Sequence, residues 1–294
     1  MNRDILVIGG RSKIGSALIE ELVRRGESVR ALVRGREQEV SFPEGVQPVP
    51  GDLADAASLR SAIAGADRLF VLCGPAEDEV QLNRNAIDVA KEAGVRQLVR
   101  SSILGSDPKS SATFVRDHGA CDAYLRESGV PHAVVRPNLF MQNIPENTIP
   151  SIDQDGNFYA NAGEARISMV DTRDVAAVAA TLLTEPGYER GAYDVTGPEA
   201  LSYHDVAVKL SGAMGRKVTY MDAPDEAVAG ALAGFGLGDW LLGALVDLFG
   251  DYRRSGTGGY AARVTDTVER LTGRPPGSLD QLLAEQKVEF TAKR

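Results

Sequence analysis

The stretch DILVIGGRSKIGSAL, Asp4 to Leu18, governs how the rest of the chain reads. DILVIG (4–9) has the apolar, β-branched character of a buried strand. From about Ile14 a helix is expected, with Ile14, Leu18 and Leu22 flanked by Ile19 and Val23 at helical spacing and Gly26 as its stop. Between the two lies a glycine turn. Counted from Gly10 it is G-x-S-x-x-G, and counted from Gly9 it is G-x-x-S-x-x-G, with Ser12 in a position that such loops usually give to glycine. A glycine pattern that follows a strand and opens a helix is the context of dinucleotide binding. Gly9 and Gly10 permit the tight turn, Gly15 lets helix and strand approach, and backbone N–H groups at the helix start face a pyrophosphate. The expected contacts are Gly9, Gly10, Arg11, Ser12, Lys13, Ile14 and Gly15, with the Ser12 hydroxyl available to donate to phosphate.

The same rhythm repeats outward. Strands are expected at SVRALVR (28–34), VQPVPGDL (46–53), DRLFVLC (67–73), VRQLVRSS (95–102) and HAVVRP (132–137). Between them come a helix capped by Asp55 and closed by Gly65, a second over about 79–93 ending at Gly94, and a third containing FVRDH (114–118). Strand and helix alternating at this spacing specify an α/β Rossmann fold, a doubly wound parallel sheet with helices on both faces. After about residue 140 the rhythm breaks. Residues 1–140 are therefore read as a dinucleotide-binding Rossmann domain. Residues 141–294 are read as a smaller mixed α/β substrate-binding or lid region, some of whose segments return to the sheet. LSYHDVAVKLSGAMG within it contains a capping box, Ser202 with Asp205.

Composition narrows the partner. The 294 residues carry a net charge of −9, yet the first 36 hold eight Lys/Arg against four Asp/Glu. Local positive charge on an acidic chain suits a small anionic ligand and argues against nucleic acid. Two cysteines and three histidines lack disulfide or metal spacing, so free thiols, no metal and a cytoplasmic setting are expected. No export signal is expected in MNRDILVIGG. The apolar stretch 227–249 contains Asp239 and Asp247, each costing about 2.5–3.5 kcal/mol near a bilayer centre, so it reads as a buried or lid helix pair and not a membrane span. Phe235, Leu237 and Trp240, beside Gly234, Gly236 and Gly238, suit a mobile cover on a pocket.

The end of the second strand selects the dinucleotide. An NAD site usually places Asp or Glu there, whereas this chain has Arg34 in ALVRGRE, with Arg11 within reach of the same point. A guanidinium pairs with a 2′-phosphate through two hydrogen bonds, which favours NADP(H).

The pieces VIGGRSKIG, ALVRG, GDLAD, VRSSILGSD, HGACDAYLRESGVPHAVVRPNLFMQN, VDTRDVAAVAATLL, YDVTGPEALSYHDVA and TDTVERLTGRPP together resemble the NmrA-like, atypical members of the short-chain dehydrogenase/reductase superfamily. The resemblance spans nearly the whole chain. It implies either an NADPH-dependent reductase of quinones, azo dyes, iminium or carbonyl groups, or a redox sensor that binds the dinucleotide without turnover. It also implies that Asp52 and Leu53 flank the adenine, that Cys73, Gly74 and Pro75 line the ribose and nicotinamide side, and that Ser101 and Ser102 occupy the place of the superfamily's catalytic serine. Pro137, Asn138 and Phe140 are then expected near the nicotinamide.

Ordinary members of the superfamily keep a tyrosine and, four residues on, a lysine. Aligned through YLRESG, those positions are Phe114 and His118. Phe114 cannot give a proton. Either His118 serves as the acid, with Asp122 one turn on to orient its ring, or it only contacts the cofactor ribose and Phe114 packs. Hydride transfer to an already electron-poor acceptor needs little protein acid. The readings that follow are an NADPH-dependent reductase of a small organic substrate, monomeric or homodimeric. The alternative is a silent NADP(H)-binding sensor acting through a protein partner, and a non-redox isomerase or cyclase that keeps the cofactor for structure is a third.

Overall fold

The computed structural model describes residues 4–35, 42–233 and 236–285. The strands are β1 (Ile5–Ile8), β2 (Val29–Val33), β3 (Gln47–Pro50), β4 (Arg68–Val71), β5 (Gln97–Ser101), β6 (His132–Pro137), β7 (Asn157–Ala160), β8 (Arg190–Val195) and β9 (Thr219–Asp222). The helices are α1 (Lys13–Arg24), α2 (Ala56–Ile63), α3 (Glu79–Ala93), α4 (Thr113–Ser128), α5 (Thr172–Thr184), α6 (Tyr203–Met214), α7 (Asp225–Ala233), α8 (Asp239–Ser255), α9 (Thr267–Thr272) and α10 (Leu279–Glu285). Seven strands form one sheet in the order β3-β2-β1-β4-β5-β6-β8, and every neighbouring pair is parallel. The order reverses beside β1, which places the crevice for a ligand at the carboxyl ends of β1 and β4.

Two apolar layers hold the sheet. On one face Ile14, Leu18, Ile19 and Leu22 of α1 pack with Val175, Val178 and Leu182 of α5 against Ile5, Val7, Phe70, Val99 and Val135. On the other, Leu59 and Ile63 of α2, Ile87 and Ala90 of α3 and Leu125 of α4 cover Leu6, Ile8, Leu69, Leu98 and Val134. Each such fully buried aliphatic side chain contributes about 1.5–3 kcal/mol of transfer free energy. Alternate residues of β1 divide between the two clusters, as the two-residue period of a strand requires.

Residues 172–195 return to the sheet, α5 as a layer beneath it and β8 as its edge strand. The sequence explains this placement, because α5 is apolar nearly all round and a helix of that kind is stable only when enclosed. The remaining later elements surround a third cluster, in which Phe158, Tyr203 and Tyr220 pack with Met141, Ile144, Leu210 and Leu248. There β7 and β9 make a separate parallel pair. The expected capping box of α6 is formed, with Ser202 Oγ accepting from Asp205 N at 3.1 Å and Asp205 Oδ2 from Ser202 N at 2.9 Å.

The stretch 227–249 is divided between α7 and α8, and among the described residues no helix is long and apolar enough to cross a membrane. Gly234 and Phe235 lie outside the described residues. Leu237 is half-buried, and Trp240 in the first turn of α8 packs against the third cluster.

Candidate functional site

The turn after β1 is as tight as its glycines require. Gly9 has φ +84°, and a Cβ there would stand 2.4 Å from the Leu72 carbonyl oxygen. A Cβ on Gly15 would stand 2.1 Å from the Gly9 carbonyl oxygen, so α1 begins in direct contact with the strand end. Ser12 also has a structural task. It is the N-cap of α1, and its hydroxyl accepts from Gly15 N at 2.9 Å. The N–H groups of Lys13 and Ile14, in the first helical turn, have no carbonyl partner among the described residues. A helix start with free donors and no room for a side chain beside them fits a diphosphate. Arg11 is exposed on the loop, whereas the Lys13 ammonium ion-pairs with Glu146 in the segment after β6. Arg34 is exposed one residue beyond β2.

At the ends of β4, β5 and β6 the chain assembles a buried polar network around Arg100, which is 0% exposed. Its Nε donates to Asn83 Oδ1 at 2.8 Å, Nη1 to Asp122 Oδ1 at 2.6 Å, and Nη2 lies 3.0 Å from His118 Nδ1. Asp122 also accepts from Ser102 Oγ at 3.1 Å, Ser106 Oγ at 2.8 Å and Arg136 Nε at 3.0 Å. Asp122 therefore does not orient the His118 ring; Arg100 stands between them and serves both. The physical reason is that a buried guanidinium must have a counter-ion, and Asp122 is the carboxylate closest to it. Ser102 is likewise committed to Asp122, which leaves Ser101 as the strand-end serine whose hydroxyl has no hydrogen bond among the described residues.

A guanidinium can only donate, so the His118 Nδ1 that meets Arg100 is an acceptor and the ring hydrogen sits on Nε2. Burial first, and then the Arg100 charge, hold this imidazole well below its ordinary pKa, so it is neutral. Phe114, one turn back, is buried with its ring 5.9 Å from that of Trp240 and perpendicular to it. Asp247 of α8 accepts from Thr113 Oγ1 at 3.2 Å, so α8 lies across the start of α4 through both contacts. Gly119 makes the rest of the arrangement possible. A Cβ there would stand 2.3 Å from the Asp107 backbone, because the segment between β5 and α4 runs directly over the helix.

The other expected contacts are distributed unevenly. Asp52 accepts from Ala54 N at 2.9 Å, and Leu53 is half-buried against the α2 and α3 layer. Cys73 follows β4, and Gly74 and Pro75 beyond it are exposed, with open space around Gly74. Burial, followed by the charge of Glu79, pushes the Cys73 thiol up to about 12, so it is no nucleophile. Pro137 ends β6 and accepts from Leu104 N at 2.8 Å. Asn138 is bonded within the protein, its Nδ2 donating to Ser168 Oγ and the Ala261 carbonyl while Oδ1 accepts from Leu139 N. Phe140 bridges to Val170 and packs toward the α1 and α5 layer. These last two side chains hold the later segments to β6. Among the described residues no group of His, Cys, Asp or Glu is arranged to hold a metal ion.

Sequence reasoning missed Arg100, Glu79, Asn83, Arg136, Ser106 and Glu146. One signal was legible, namely an arginine inside QLVRS, a strand expected to be buried on both faces, where a charge demands partners. A groove of 750 Å³ runs along β6 beside the start of β8, lined by Arg126, His132 and Arg190 and reaching Asp122 and Arg136 of this network.

A profile of the NmrA-like family matches residues 1–285. The NAD(P)H azoreductase of Xenophilus azovorans is 37% identical over 290 residues, covering 98% of this chain and 99% of that protein. The (4-alkanoyl-5-oxo-2,5-dihydrofuran-3-yl)methyl phosphate reductase of Streptomyces griseus subsp. griseus is 33% identical over 288 residues, covering 97% and 99%. The crystal structure of an NADPH-dependent quinone oxidoreductase from Escherichia coli complexed with NADPH matches with a TM-score of 0.87 at 26% identity, covering 96% of this chain and 99% of that one.

Proposed function

Because the chain belongs to the NmrA-like family, we propose that it is an NADPH-dependent oxidoreductase acting on a small, electron-poor organic acceptor. The acceptor is a quinone, an azo compound, an imine or iminium ion, or a carbonyl compound, and it is reduced without a Tyr-x-x-x-Lys pair. Residues 1–140 hold the dinucleotide, and residues 141–294, apart from the segments that return to the sheet, shape the acceptor site. NADPH supplies the hydride. The first-turn N–H groups of α1 bind the pyrophosphate, and Arg34 and Arg11 meet the 2′-phosphate. Ser101 hydrogen-bonds the acceptor, and the Nε2–H of His118 gives it a proton. Trp240 and the rest of α8 exclude water above them. The protein works as a monomer or homodimer on a small molecule, and its unpaired Cys73 and Cys121 suit the reducing cytoplasm.

The observation that carries this reading is the pair of polar atoms at the strand ends, the Ser101 hydroxyl and His118 Nε2, that have no hydrogen-bond partner among the described residues, beside Arg100, Ser102, Ser106 and Asp122, which are engaged. One observation favours the alternative of a silent NADP(H)-binding sensor with a protein partner. It is the burial of Phe114 at the place where a reductase of this superfamily keeps its tyrosine. The two readings separate on oxidation of NADPH followed by absorbance against quinones, azo dyes, imines and aldehydes, paired with calorimetric titration of NADPH and NADH. Turnover on one acceptor class, reduced at least about tenfold in His118→Ala, is the expected result. Tight NADPH binding with no turnover on any class would replace the enzyme with the sensor.

A further inference from the structure

Glu79 opens α3 and is 2% exposed, and its Oε1 has no hydrogen-bond partner among the described residues. Leaving such an oxygen unsatisfied in the interior is unfavourable, so its neighbours are informative. His118 Nδ1 stands 3.3 Å away and Arg100 Nη2 3.5 Å away, and those two atoms are themselves 3.0 Å apart. Nδ1 has one lone pair. Both a guanidinium N–H and the O–H of an un-ionised Glu79 fit it, whereas an ionised Glu79 fits a hydrogen on Nδ1 or a closer Arg100.

We propose that Glu79 is a positioning residue for His118, alternating between a carboxylic acid that donates to Nδ1 and a carboxylate paired with Arg100, and thereby deciding which ring nitrogen carries the hydrogen. This rests on the reading of His118 as the donor to the acceptor. The groups facing Glu79 are Arg100 on β5, His118, Asp117, Asp122 and Cys121 on α4, and Cys73 after β4, with Asp78 beside it in the chain. Burial pushes Glu79 up to about 7, Arg100 opposes the rise, and Asp117 and Asp122 add to it. The acid form keeps the ring hydrogen on Nε2. When Nε2 passes that hydrogen as a proton to an acceptor that has taken a hydride from NADPH, the Glu79 O–H bond breaks and an Nδ1–H bond forms. A carboxylate remains beside Arg100, and solvent returns one proton per turnover.

The test is a pH titration of the full chain with nitrogen-15-labelled histidine, read by nuclear magnetic resonance. The three histidines are separated by assigning His118 through His118→Gln. In the wild type the His118 ring nitrogens are expected to change from the Nε2–H pattern with a midpoint near 7, and in Glu79→Gln to keep one pattern throughout. A pattern in the wild type that does not change with pH overturns the proposal, as does an identical titration in Glu79→Gln. The titration needs no substrate. A protein that shows it without reducing any acceptor therefore loses the reductase reading and keeps this one. Where an acceptor is reduced, kcat falls as pH rises through the same midpoint, and Glu79→Gln removes that limb while NADPH affinity stays unchanged. A limb that persists in Glu79→Gln counts against the proposal.

Discussion

Replacing Glu79 with glutamine should change how stability depends on pH, and the structure sets both the sign and the size. Burial carries this carboxyl from an ordinary 4.5 to about 7. Between those two values the unfolded chain has released the proton while the folded chain retains it, so stability falls as pH rises through the window and then levels off. At about 1.4 kcal/mol per tenfold change, the loss attributable to this group is about 3 kcal/mol, a sizeable share of the 5–15 kcal/mol typical of a folded protein. The amide of the Glu79→Gln variant keeps the shape and cannot ionise. The difference in unfolding free energy, Glu79→Gln minus wild type, should therefore climb by about 3 kcal/mol from below 4.5 to above 7, because only the wild type declines. Urea unfolding followed by circular dichroism at each pH measures it. The first turn of α3 pulls the other way, since a helix N-terminus stabilises a carboxylate by about 0.3–1 kcal/mol. A difference that stays flat across the window would mean that the helix end and Arg100 outweigh burial, and the reasoning would fail.

Three further perturbations have defined outcomes. Gly15→Ala places a methyl 2.1 Å from the Gly9 carbonyl oxygen, where ordinary contact begins at 3.4 Å. Calorimetry should show NADPH affinity falling, by up to about thirtyfold, since overpacking costs about 1–3 kcal/mol against a helix-propensity gain of about 1, at about 1.4 kcal/mol per tenfold; an unchanged affinity would count against the loop as the diphosphate site. Arg34→Asp should lower NADPH affinity by about tenfold or more while leaving NADH within a few fold, because charge-assisted hydrogen bonds contribute about 1.5–3 kcal/mol, and equal losses for both would defeat the assignment. Trp240→Ala removes the perpendicular ring contact to Phe114 and half-buried apolar area with it. It should lower stability by about 1–3 kcal/mol in thermal unfolding and raise KM for the acceptor more than KM for NADPH; unchanged acceptor KM would remove α8 from the site.

Much of the fold was legible because its signals are local. The strand DILVIG, the glycine turn, the helical spacing of Ile14, Leu18 and Leu22 and the caps at Asp55 and Ser202 each depend on residues within a few positions of one another, and they recur with a period that only a parallel sheet accommodates. The apolar run of α5 also carried its message, since a helix without a polar face has to be enclosed, although it did not say by which layer. At the candidate site the sequence did not show the structural tasks that its polar residues also carry. Ser12, read as a phosphate donor, also caps a helix, Ser102, read as catalytic, also holds Asp122, and Asn138, read as a cofactor contact, also ties β6 to the segments around Ser168 and Ala261. A hydroxyl or amide has the same composition in every one of these tasks, and only the partner across the fold separates them. By itself, the sequence determined the alternation of strands and helices and the glycine turn between β1 and α1. Tertiary structure alone decided that Arg100, buried from one strand, would gather Glu79 and Asn83 from α3 with His118 and Asp122 from α4. A charge taken out of water must find its partners in space, and those partners are up to 22 residues away along the chain.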